Sequence, residues 1–479
     1  MRRWFFFVVL LAVSLRLLLF LGLKPWDEVQ EREIVFRDGK GDPIYYHLLA
    51  GMVLHHGVFG YPELNRSLQT GWINAFGVAR ALEPDALRTP GYPLLVTAVY
   101  FVFGSHPWLV LLLQLLLDSF SVVLLFLFCS KFLDPSAAIV AMLWYAIDPV
   151  LILHSVSFMS ETLFVFFLLL CIVCLPLGRG TSSLGKLPFG KYFLSGSILG
   201  LATLTKPLGT YILFIALSWI IVRFRDVPRE RVYRPIVFLL GFCTIVLPWI
   251  VRNSITFETP RLSVAAEYNL MILHAGPVLM YQKGISEWEA SAELSYQAEA
   301  RMQEDGLLPS RISQFQKAPY WRLTALQYLS KNPALYAFLS LKGMANTLFG
   351  LGSSELATMM GWKNTRIDVR RFNNPIVLLK AYVKDKSSAE ILFAFLHLSF
   401  LALTYTAIVL GIKTSIRGEF RHVTILLLLL LSFFLIAAGP SGYFRFKVPM
   451  IPLYLPFVGF AFDSWRRRKG IVHVNSRVD

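Results

Sequence analysis

Six charged residues lie at or beside the ends of apolar runs that are far apart in the chain. Charged groups next to a membrane span are costly to keep there, so they often serve a function. A carboxylate in such a set can take a proton from an acceptor hydroxyl. Lysine and arginine can hold a phosphate and stabilise the charge of a leaving group. The set therefore suits group transfer from a lipid-linked phosphate, and its members are Asp42, Arg88, Asp148, Glu161, Lys206 and Arg445.

The elements that must position these residues are apolar helices. Of the 479 residues, 56% are hydrophobic and only 16% are charged, whereas a soluble domain has about 25% charged residues. Several apolar runs reach the roughly 20 residues that a bilayer crossing needs. The sequence thus predicts an all-α polytopic membrane protein. Its net charge of +16 is explained by lysine and arginine on cytoplasmic loops, so we expect no nucleic-acid partner.

The hydropathy pattern predicts ten transmembrane spans and two long polar loops. The first span follows two arginines and is typical of a retained signal anchor. With the N-terminus inside, the basic loops at 179–191, 223–234 and 413–421 and the C-terminal tail all fall in the cytoplasm, as the positive-inside rule requires. The two long loops then lie outside. The predicted spans are 4–23, 107–132, 135–156, 161–176, 192–204, 208–222, 235–251, 391–412, 423–438 and 448–462.

These spans divide the chain into three parts. Residues 1–255 form an N-terminal transmembrane module that carries the first outer loop, 24–105. Residues 256–390 form a mostly helical extracytoplasmic region, and residues 391–479 form the last three spans with a basic tail.

Two apolar stretches are ambiguous because they are short for a span. Residues 90–104 carry tyrosine and phenylalanine between glycine and proline, and we expect a helix that lies in the outer interface. Residues 335–351 contain a lysine, and we expect them to lie along the surface or to pack within the second loop.

Capping residues predict helices inside both long loops. Asp42 is a good N-cap and Pro43 a good first residue for a helix that ends near His55. In the second loop, Ser286 with Glu289 has capping-box spacing and predicts a helix to about 303. Another helix is predicted over 320–330.

Each charged residue also has a purely structural explanation. Asp42 can serve only as an N-cap, and Glu161 only as an acid that the helix dipole favours. Lys206 and Arg445 can simply reach from span ends toward water. Both kinds of explanation stay open at this point.

Other polar residues in the spans favour structural roles. Asp118 lies deep in the second span and is expected to bond to a neighbouring helix, and Arg16 either does the same or extends outward. Cys171 and Cys174 have no second pair, so a zinc site there is not expected.

Six short motifs then occur in an order that resembles the GT-C membrane glycosyltransferases, which use polyprenyl-phosphate sugars. The branch most similar contains protein O-mannosyltransferases, the aminoarabinose transferase of lipid A and the Rgt-type lipopolysaccharide transferases. The resemblance covers 1–255 well and 330–460 loosely. The motifs are Asp42 with Tyr46, Arg88-Thr89-Pro90-Gly91-Tyr92-Pro93, Ser160-Glu161, Leu204-Thr205-Lys206-Pro207, Pro248-Trp249 with Arg252-Asn253, and Arg445 before Pro449 and Pro452.

This resemblance implies a GT-C-like bundle that performs inverting sugar transfer on the extracytoplasmic face of a bacterial inner membrane, with both termini in the cytoplasm. Many members have Asp-Glu in the first loop, so Asp27-Glu28 competes with Asp42; only Asp42 has the matching tyrosine and following helix. The implied roles are catalytic for Asp42 and Glu161, donor-phosphate binding for Arg88, Lys206 and Arg445, and substrate contact for Tyr46 and Tyr92.

The expected partners are a polyprenyl-phosphate sugar, membrane lipid, and a lipid, glycan or protein acceptor. No cofactor is required by the motifs, and a divalent metal is left open because no metal cage is evident. Two other functions remain: transport of a lipid-linked glycan and ligation of a preassembled glycan. The lack of an obvious internal repeat argues against a transporter.

Overall fold

Helices make up most of the computed structural model, which describes residues 1–31, 41–62, 82–177, 189–362, 384 and 386–469. Within those ranges the one sheet is a short antiparallel pair, β1 (Gly60–Pro62) and β2 (Leu82–Pro84). The prediction of an all-α membrane protein is confirmed. Most of the basic loop predicted at 179–191 lies outside the described residues.

The N-terminal half of the described chain consists mainly of helices. In chain order they are α1 (Arg2–Leu23), α2 (Asp42–His56), α3 (Gly91–Phe103), α4 (Pro107–Cys129), α5 (Pro135–Ile147), α6 (Pro149–Ser155), α7 (Glu161–Cys174), α8 (Phe189–Thr205), α9 (Gly209–Arg223) and α10 (Pro228–Phe257).

The C-terminal half begins with short helices and ends with long apolar ones. They are α11 (Ala265–Asn269), a π-helical turn (Leu270–Ala275), α12 (Gly276–Lys283), α13 (Glu287–Glu304), α14 (Gln314–Lys331), α15 (Pro333–Phe349), α16 (Ser353–Met359), α17 (Ser388–Ser415), α18 (Arg421–Ala438), a 3₁₀ turn (Phe444–Lys447) and α19 (Ile451–Arg468).

Among the described residues, five helices are long and apolar enough to cross a membrane: α1, α4, α10, α17 and α18. Helices α5 and α6 qualify together as one bent span, and α3, α7 and α9 are shorter apolar helices. The protein is therefore an integral membrane protein. The total of ten spans stays a prediction.

The third predicted span, 135–156, is not one straight helix. It bends by 57° between α5 and α6. Pro149 has no N–H to donate and its ring disfavours a helical residue before it, so Asp148 adopts an extended conformation (φ −65°, ψ 118°). The Asp148 carboxylate then caps the new helix by accepting from the backbone N–H groups of Val150 (2.9 Å) and Leu151 (3.2 Å).

A buried ion pair joins α1 to α4 inside the bundle. The Arg16 side chain is fully buried; its Nε donates to Asp118, and its Nη1 donates to the carbonyl oxygens of Ala12 (3.1 Å) and Ala146 (3.0 Å). The Tyr145 hydroxyl donates to the other Asp118 oxygen at 2.8 Å. Asp118 thus binds a neighbouring helix as expected, and Arg16 points inward rather than toward the surface.

Both ambiguous apolar stretches are helices. The predicted helix over 90–104 is α3, which packs along α2; its position in the membrane interface stays a prediction. The stretch 335–351 is α15, which packs against the segment that follows α18. A Cβ on Gly343 would lie 2.0 Å from the Gly439 carbonyl oxygen, so only glycine permits this close approach.

The π-helical turn and helices α12, α13 and α14 share a small apolar core of their own, which includes Met271, Leu294 and Met302. The capping box that begins α13 at Ser286 is present as predicted. The next helix was placed too late: α14 begins at Gln314 rather than at 320, because Ser313 and Gln316 form a second capping box.

The Arg16–Asp118 pair gives a stability prediction. Asp118→Asn is expected to lower the free energy of unfolding by about 3–5 kcal/mol, because it leaves the Arg16 charge buried without its partner. Denaturation in detergent micelles measures the change. Asp226→Asn is the control, since it breaks an ion pair with Arg225 whose side chains are 75% and 85% exposed. Equal stability of Asp118→Asn and the wild type would contradict a structural role for the pair.

Candidate active site

One guanidinium group bridges two carboxylates from distant parts of the chain. Arg445 Nη2 lies 2.8 Å from Asp42 Oδ2, and Arg445 Nε donates to Glu161 Oε1. Arg445 stands on the 3₁₀ turn before α19, while Asp42 and Glu161 are the first residues of α2 and α7. The bridge therefore brings three separate helix ends to one place.

Two further cations complete the cluster. Lys206 Nζ lies 2.9 Å from Glu161 Oε1, and Arg88 Nη2 lies 3.4 Å from Asp42 Oδ1. Five of the six sequence-predicted charged residues thus form one continuous network, which we call the charge cluster (Asp42, Arg88, Glu161, Lys206 and Arg445). It holds three positive groups against two negative ones, so it has one positive charge in excess.

The Asp42 carboxylate does not cap its own helix. The N-cap of α2 is Gly41, with φ of 111°, and Asp42 is the first helical residue, so the boundary lies one residue earlier than predicted. The carboxylate points instead at Arg445 and Arg88. A negative charge in the first turn is also favoured by the helix dipole.

The two carboxylates differ in their access to solvent. The Asp42 side chain is 34% exposed, whereas the Glu161 side chain is 3% exposed. Burial disfavours the ionised form of Asp42, but the nearby Arg445 and Arg88 outweigh it and hold the pKa of Asp42 below its ordinary value. Asp42 is therefore an ionised, accessible carboxylate at neutral pH.

Arg88 is held from both sides. Its Nη1 donates to the Tyr61 hydroxyl at 3.1 Å, and its guanidinium carbon lies 4.0 Å from the centre of the Tyr45 ring. Its backbone N–H donates to Asp85 Oδ2 at 2.8 Å. These contacts hold the loop that precedes α3 against α2.

Sequence reasoning missed Asp85 and Gln314, which position this loop. Asp85 is fully buried, and burial raises its pKa although Arg88 opposes the rise. Gln314 accepts from the Ala86 N–H at 2.8 Å and donates to Asp85 Oδ1 at 3.3 Å. Asp85 lies in a short Pro-Asp-Ala segment without hydrophobic periodicity, and its partner Gln314 is 229 positions away in the sequence. No local sequence signal therefore indicated either residue.

A close backbone contact joins the start of α3, which follows Arg88, to the end of α8, which precedes Lys206. A Cβ on Gly91 would lie 2.7 Å from the Leu204 carbonyl and 2.8 Å from the Thr205 nitrogen. Real Cβ atoms do not approach backbone so closely, so glycine lets the start of α3 touch the end of α8. Lys206 follows that helix end directly.

Tyr46 and Tyr92 lie beside the cluster within the protein. Their rings are 4.7 Å apart in an edge-to-face contact. The Tyr46 hydroxyl is 3.2 Å from Ser160 Oγ, and the fully buried Tyr92 donates to Gln114. Both tyrosines have clear packing partners, and their contact with a substrate stays a prediction.

The remaining charged candidates lie elsewhere. Asp148 caps α6, as described above. Asp27 is exposed and accepts from the Val29 N–H at 3.0 Å, so it does not replace Asp42 in the charge cluster. Within the described ranges, no group of three or more His, Cys, Asp or Glu side chains has the arrangement of a metal site.

A family comparison covers the middle of this site. The family model for dolichyl-phosphate-mannose-protein mannosyltransferase matches residues 87–251. That segment contains Arg88, Glu161 and Lys206, whereas Asp42 and Arg445 lie outside it. No curated protein sequence matches the chain.

Solved structures share the architecture. The oligosaccharyltransferase AglB from Archaeoglobus fulgidus, in complex with an inhibitory peptide and a dolichol-phosphate, matches with a TM-score of 0.53 and 14% identity, covering 100% of this chain and 53% of that one. The oligosaccharyltransferase of the same organism in complex with Zn and sulfate matches with a TM-score of 0.51 and 15% identity, covering 97% and 50%. This chain has the GT-C fold.

The GT-C protein spans about half the length of the archaeal oligosaccharyltransferase chains that it matches. ArnT from Cupriavidus metallidurans, bound to undecaprenyl phosphate, matches with a TM-score of 0.40 and 12% identity, covering 96% of this chain and 78% of that one. The two archaeal matches, with TM-scores of 0.53 and 0.51, confirm the GT-C-like bundle that the motifs predicted.

The contact at Gly91 predicts a local steric requirement. Gly91→Ala is expected to lower the unfolding temperature in detergent by several degrees, because the new methyl group meets the backbone of α8. Gly190→Ala is the control, since a Cβ there meets nothing within 4 Å and the residue lies in α8, the helix that Gly91 contacts. Equal unfolding temperatures for the two variants would contradict the close approach.

Proposed function

We propose that this GT-C protein transfers one sugar from a polyprenyl-phosphate donor to a hydroxyl group of a lipid, glycan or protein acceptor, with inversion at the anomeric carbon. The observation that carries the proposal is the charge cluster itself. It combines an accessible carboxylate with three cations, which are the groups that a base and a phosphate-binding site require.

The excess positive charge suits the donor phosphate. A phosphodiester carries one negative charge, which balances three cations and two carboxylates. Arg445, Lys206 and Arg88 would hold its oxygens and stabilise the charge that develops when the bond to the sugar breaks. Carriers of this class are named in the family model and in the archaeal oligosaccharyltransferase structure with dolichol-phosphate.

Asp42 is the better base of the two carboxylates because it is the more exposed one. In the proposed step Asp42 takes the proton from the acceptor hydroxyl, and the acceptor oxygen attacks the anomeric carbon. The bond between that carbon and the phosphate oxygen breaks, and its electron pair leaves with the phosphate. A single displacement of this kind inverts the configuration.

Donor binding would also make Asp42 a stronger base. Arg445 and Arg88 hold the pKa of Asp42 down in the structure. Once a phosphate shares those two cations, their effect on Asp42 weakens and its pKa rises toward the range of a useful general base. Proton removal would thus depend on a bound donor.

The described residues do not fit a divalent metal ion at this site. Asp42 and Glu161 are each paired with cations already, and a metal would meet three positive side chains. We therefore derive no step through a metal.

We place the site on the extracytoplasmic face of a bacterial inner membrane, with both termini in the cytoplasm. Helices α7 and α19 begin at the charge cluster, and α8 ends there. Their opposite ends carry basic groups: Lys131 caps the end of α7 by donating to Leu175 O at 2.8 Å, and α19 ends in Arg466, Arg467 and Arg468. This distribution follows the positive-inside rule.

Replacement of the base tests the proposal. Asp42→Asn is expected to lower sugar transfer by about 10²–10⁴-fold, because the amide cannot accept the proton. The assay uses purified protein in nanodiscs, radiolabelled polyprenyl-phosphate sugars and an envelope extract from a deletion strain as acceptor. Asp27→Asn is the matched control and should transfer at the wild-type rate.

Wild-type transfer by Asp42→Asn would refute the assigned base. Movement of the donor across the bilayer by the wild type, without release of polyprenyl phosphate, would instead favour a transporter.

A further inference from the structure

His154, near the end of α6, lies beside the charge cluster but has no role in the proposed step. Its side chain is buried, and neither ring nitrogen has a hydrogen-bond partner among the described residues. In each of the two other buried histidines of the described chain, one ring nitrogen does have a hydrogen-bond partner. His47 Nδ1 lies 2.8 Å from the Tyr100 hydroxyl, and His397 Nδ1 lies 2.6 Å from the Leu351 carbonyl oxygen.

Two contacts fix where this imidazole lies. The Thr162 hydroxyl donates to the His154 carbonyl oxygen at 3.1 Å, which holds the end of α6 against the first turn of α7. The centre of the imidazole ring lies 5.5 Å from the centre of the Phe444 ring, and Phe444 is the residue before Arg445. His154 therefore lies between the elements that carry Glu161 and Arg445. Glu161, Arg445 and Lys206 are the charged groups that act on it electrostatically.

Glu161 has a matching feature. Its Oε1 accepts from Lys206 and Arg445, while its Oε2 is buried without a partner among the described residues. Buried polar atoms without partners are uncommon in folded proteins because they lose their hydrogen bonds to water. Here three such atoms, on two neighbouring residues, adjoin the proposed phosphate-binding cations.

The chemistry of these atoms favours hydroxyl groups. A neutral imidazole offers one donor and one acceptor, and an ionised carboxylate offers only acceptors. A sugar hydroxyl can donate to Glu161 and accept from His154, or donate to His154. A phosphate has no proton to donate and would be repelled by the carboxylate, and three cations are already available to it.

We propose that His154 and Glu161 Oε2 bind hydroxyl groups of the donor sugar, and that His154 thereby helps to decide which sugar the protein accepts. This inference rests on the proposed function. In this proposal the donor sugar lies on the buried Glu161 side of the charge cluster, and the acceptor approaches from the exposed Asp42 side. Glu161 is then a donor-binding residue rather than a second base.

Donor binding tests the inference without any knowledge of the acceptor. Dissociation constants would be measured in nanodiscs for polyprenyl phosphate, for its glucose, galactose and mannose esters, and for monodeoxy analogues of each. The wild type should bind one hexose donor at least tenfold tighter than one of its deoxy analogues, because a site built for a hydroxyl rejects a ligand that lacks it. His154→Phe should bind those two donors equally.

Bare polyprenyl phosphate separates this role from a merely structural one. Its affinity should stay within twofold of the wild-type value in His154→Phe, since the variant keeps the ring against Phe444 and leaves the cations untouched. A similar loss of affinity for all ligands would overturn the inference, as would retained discrimination against the deoxy donor. His397→Phe is the matched control and should discriminate like the wild type.

A second variant tests the same inference if His154→Phe does not fold. His154→Gln keeps a donor and an acceptor at altered positions, so it should change the deoxy discrimination at least threefold, and an unchanged pattern would overturn the inference. Absence of binding of any polyprenyl phosphate by the wild type would refute the proposed function as well. Binding of polyprenyl phosphates without loss of discrimination in the variants would refute only the role of His154.

Discussion

The bridge from Arg445 to Asp42 and Glu161 is the interaction on which the site depends. It ties the start of α2, the start of α7 and the turn before α19 to a single guanidinium group. That turn is itself held firmly: Lys447 is fully buried, and its ammonium donates to the carbonyl oxygens of Leu348 (3.2 Å) and Gly350 (3.1 Å) at the end of α15. The C-terminal part of the chain thus completes a site whose carboxylates come from the N-terminal part.

The bundle contains two kinds of buried ion pair with different consequences. Arg16 and Asp118 balance each other in charge, and two backbone carbonyls and Tyr145 also bond to them, although Arg16 Nη2 has no partner among the described residues. The charge cluster, in contrast, has more cations than carboxylates, so its charge is not balanced. An oxygen of Glu161 and both ring nitrogens of the adjacent His154 also lack partners among the described residues. An arrangement that is unfavourable for the protein alone is typical of a functional site. This contrast separates the structural pair from the proposed catalytic one.

Local sequence signals predicted much of the framework. The capping box at Ser286 fixed the start of α13, and the apolar runs gave the long helices, because both depend on neighbours in the sequence. Six charged residues were predicted to lie at one face because the loop charges require their spans to end on the same side; five of them meet in the charge cluster, and Asp148 caps α6 instead. The bend at Asp148, the role of Asp85 with Gln314 and the position of His154 were not predicted. The last two depend on contacts between distant segments, which neither hydropathy nor spacing records, whereas the bend follows from Pro149, a local signal.

The most direct measurement is an experimental structure of the protein with bound polyprenyl phosphate. The account predicts that the phosphate oxygens lie about 3 Å from the side-chain nitrogens of Arg445 and Lys206, with Arg88 close by. It also predicts that the Asp42 carboxylate remains open to solvent on the other side of the cluster. A phosphate bound elsewhere, with Arg445 still joining Asp42 to Glu161, would contradict the central claim that this cluster receives the donor.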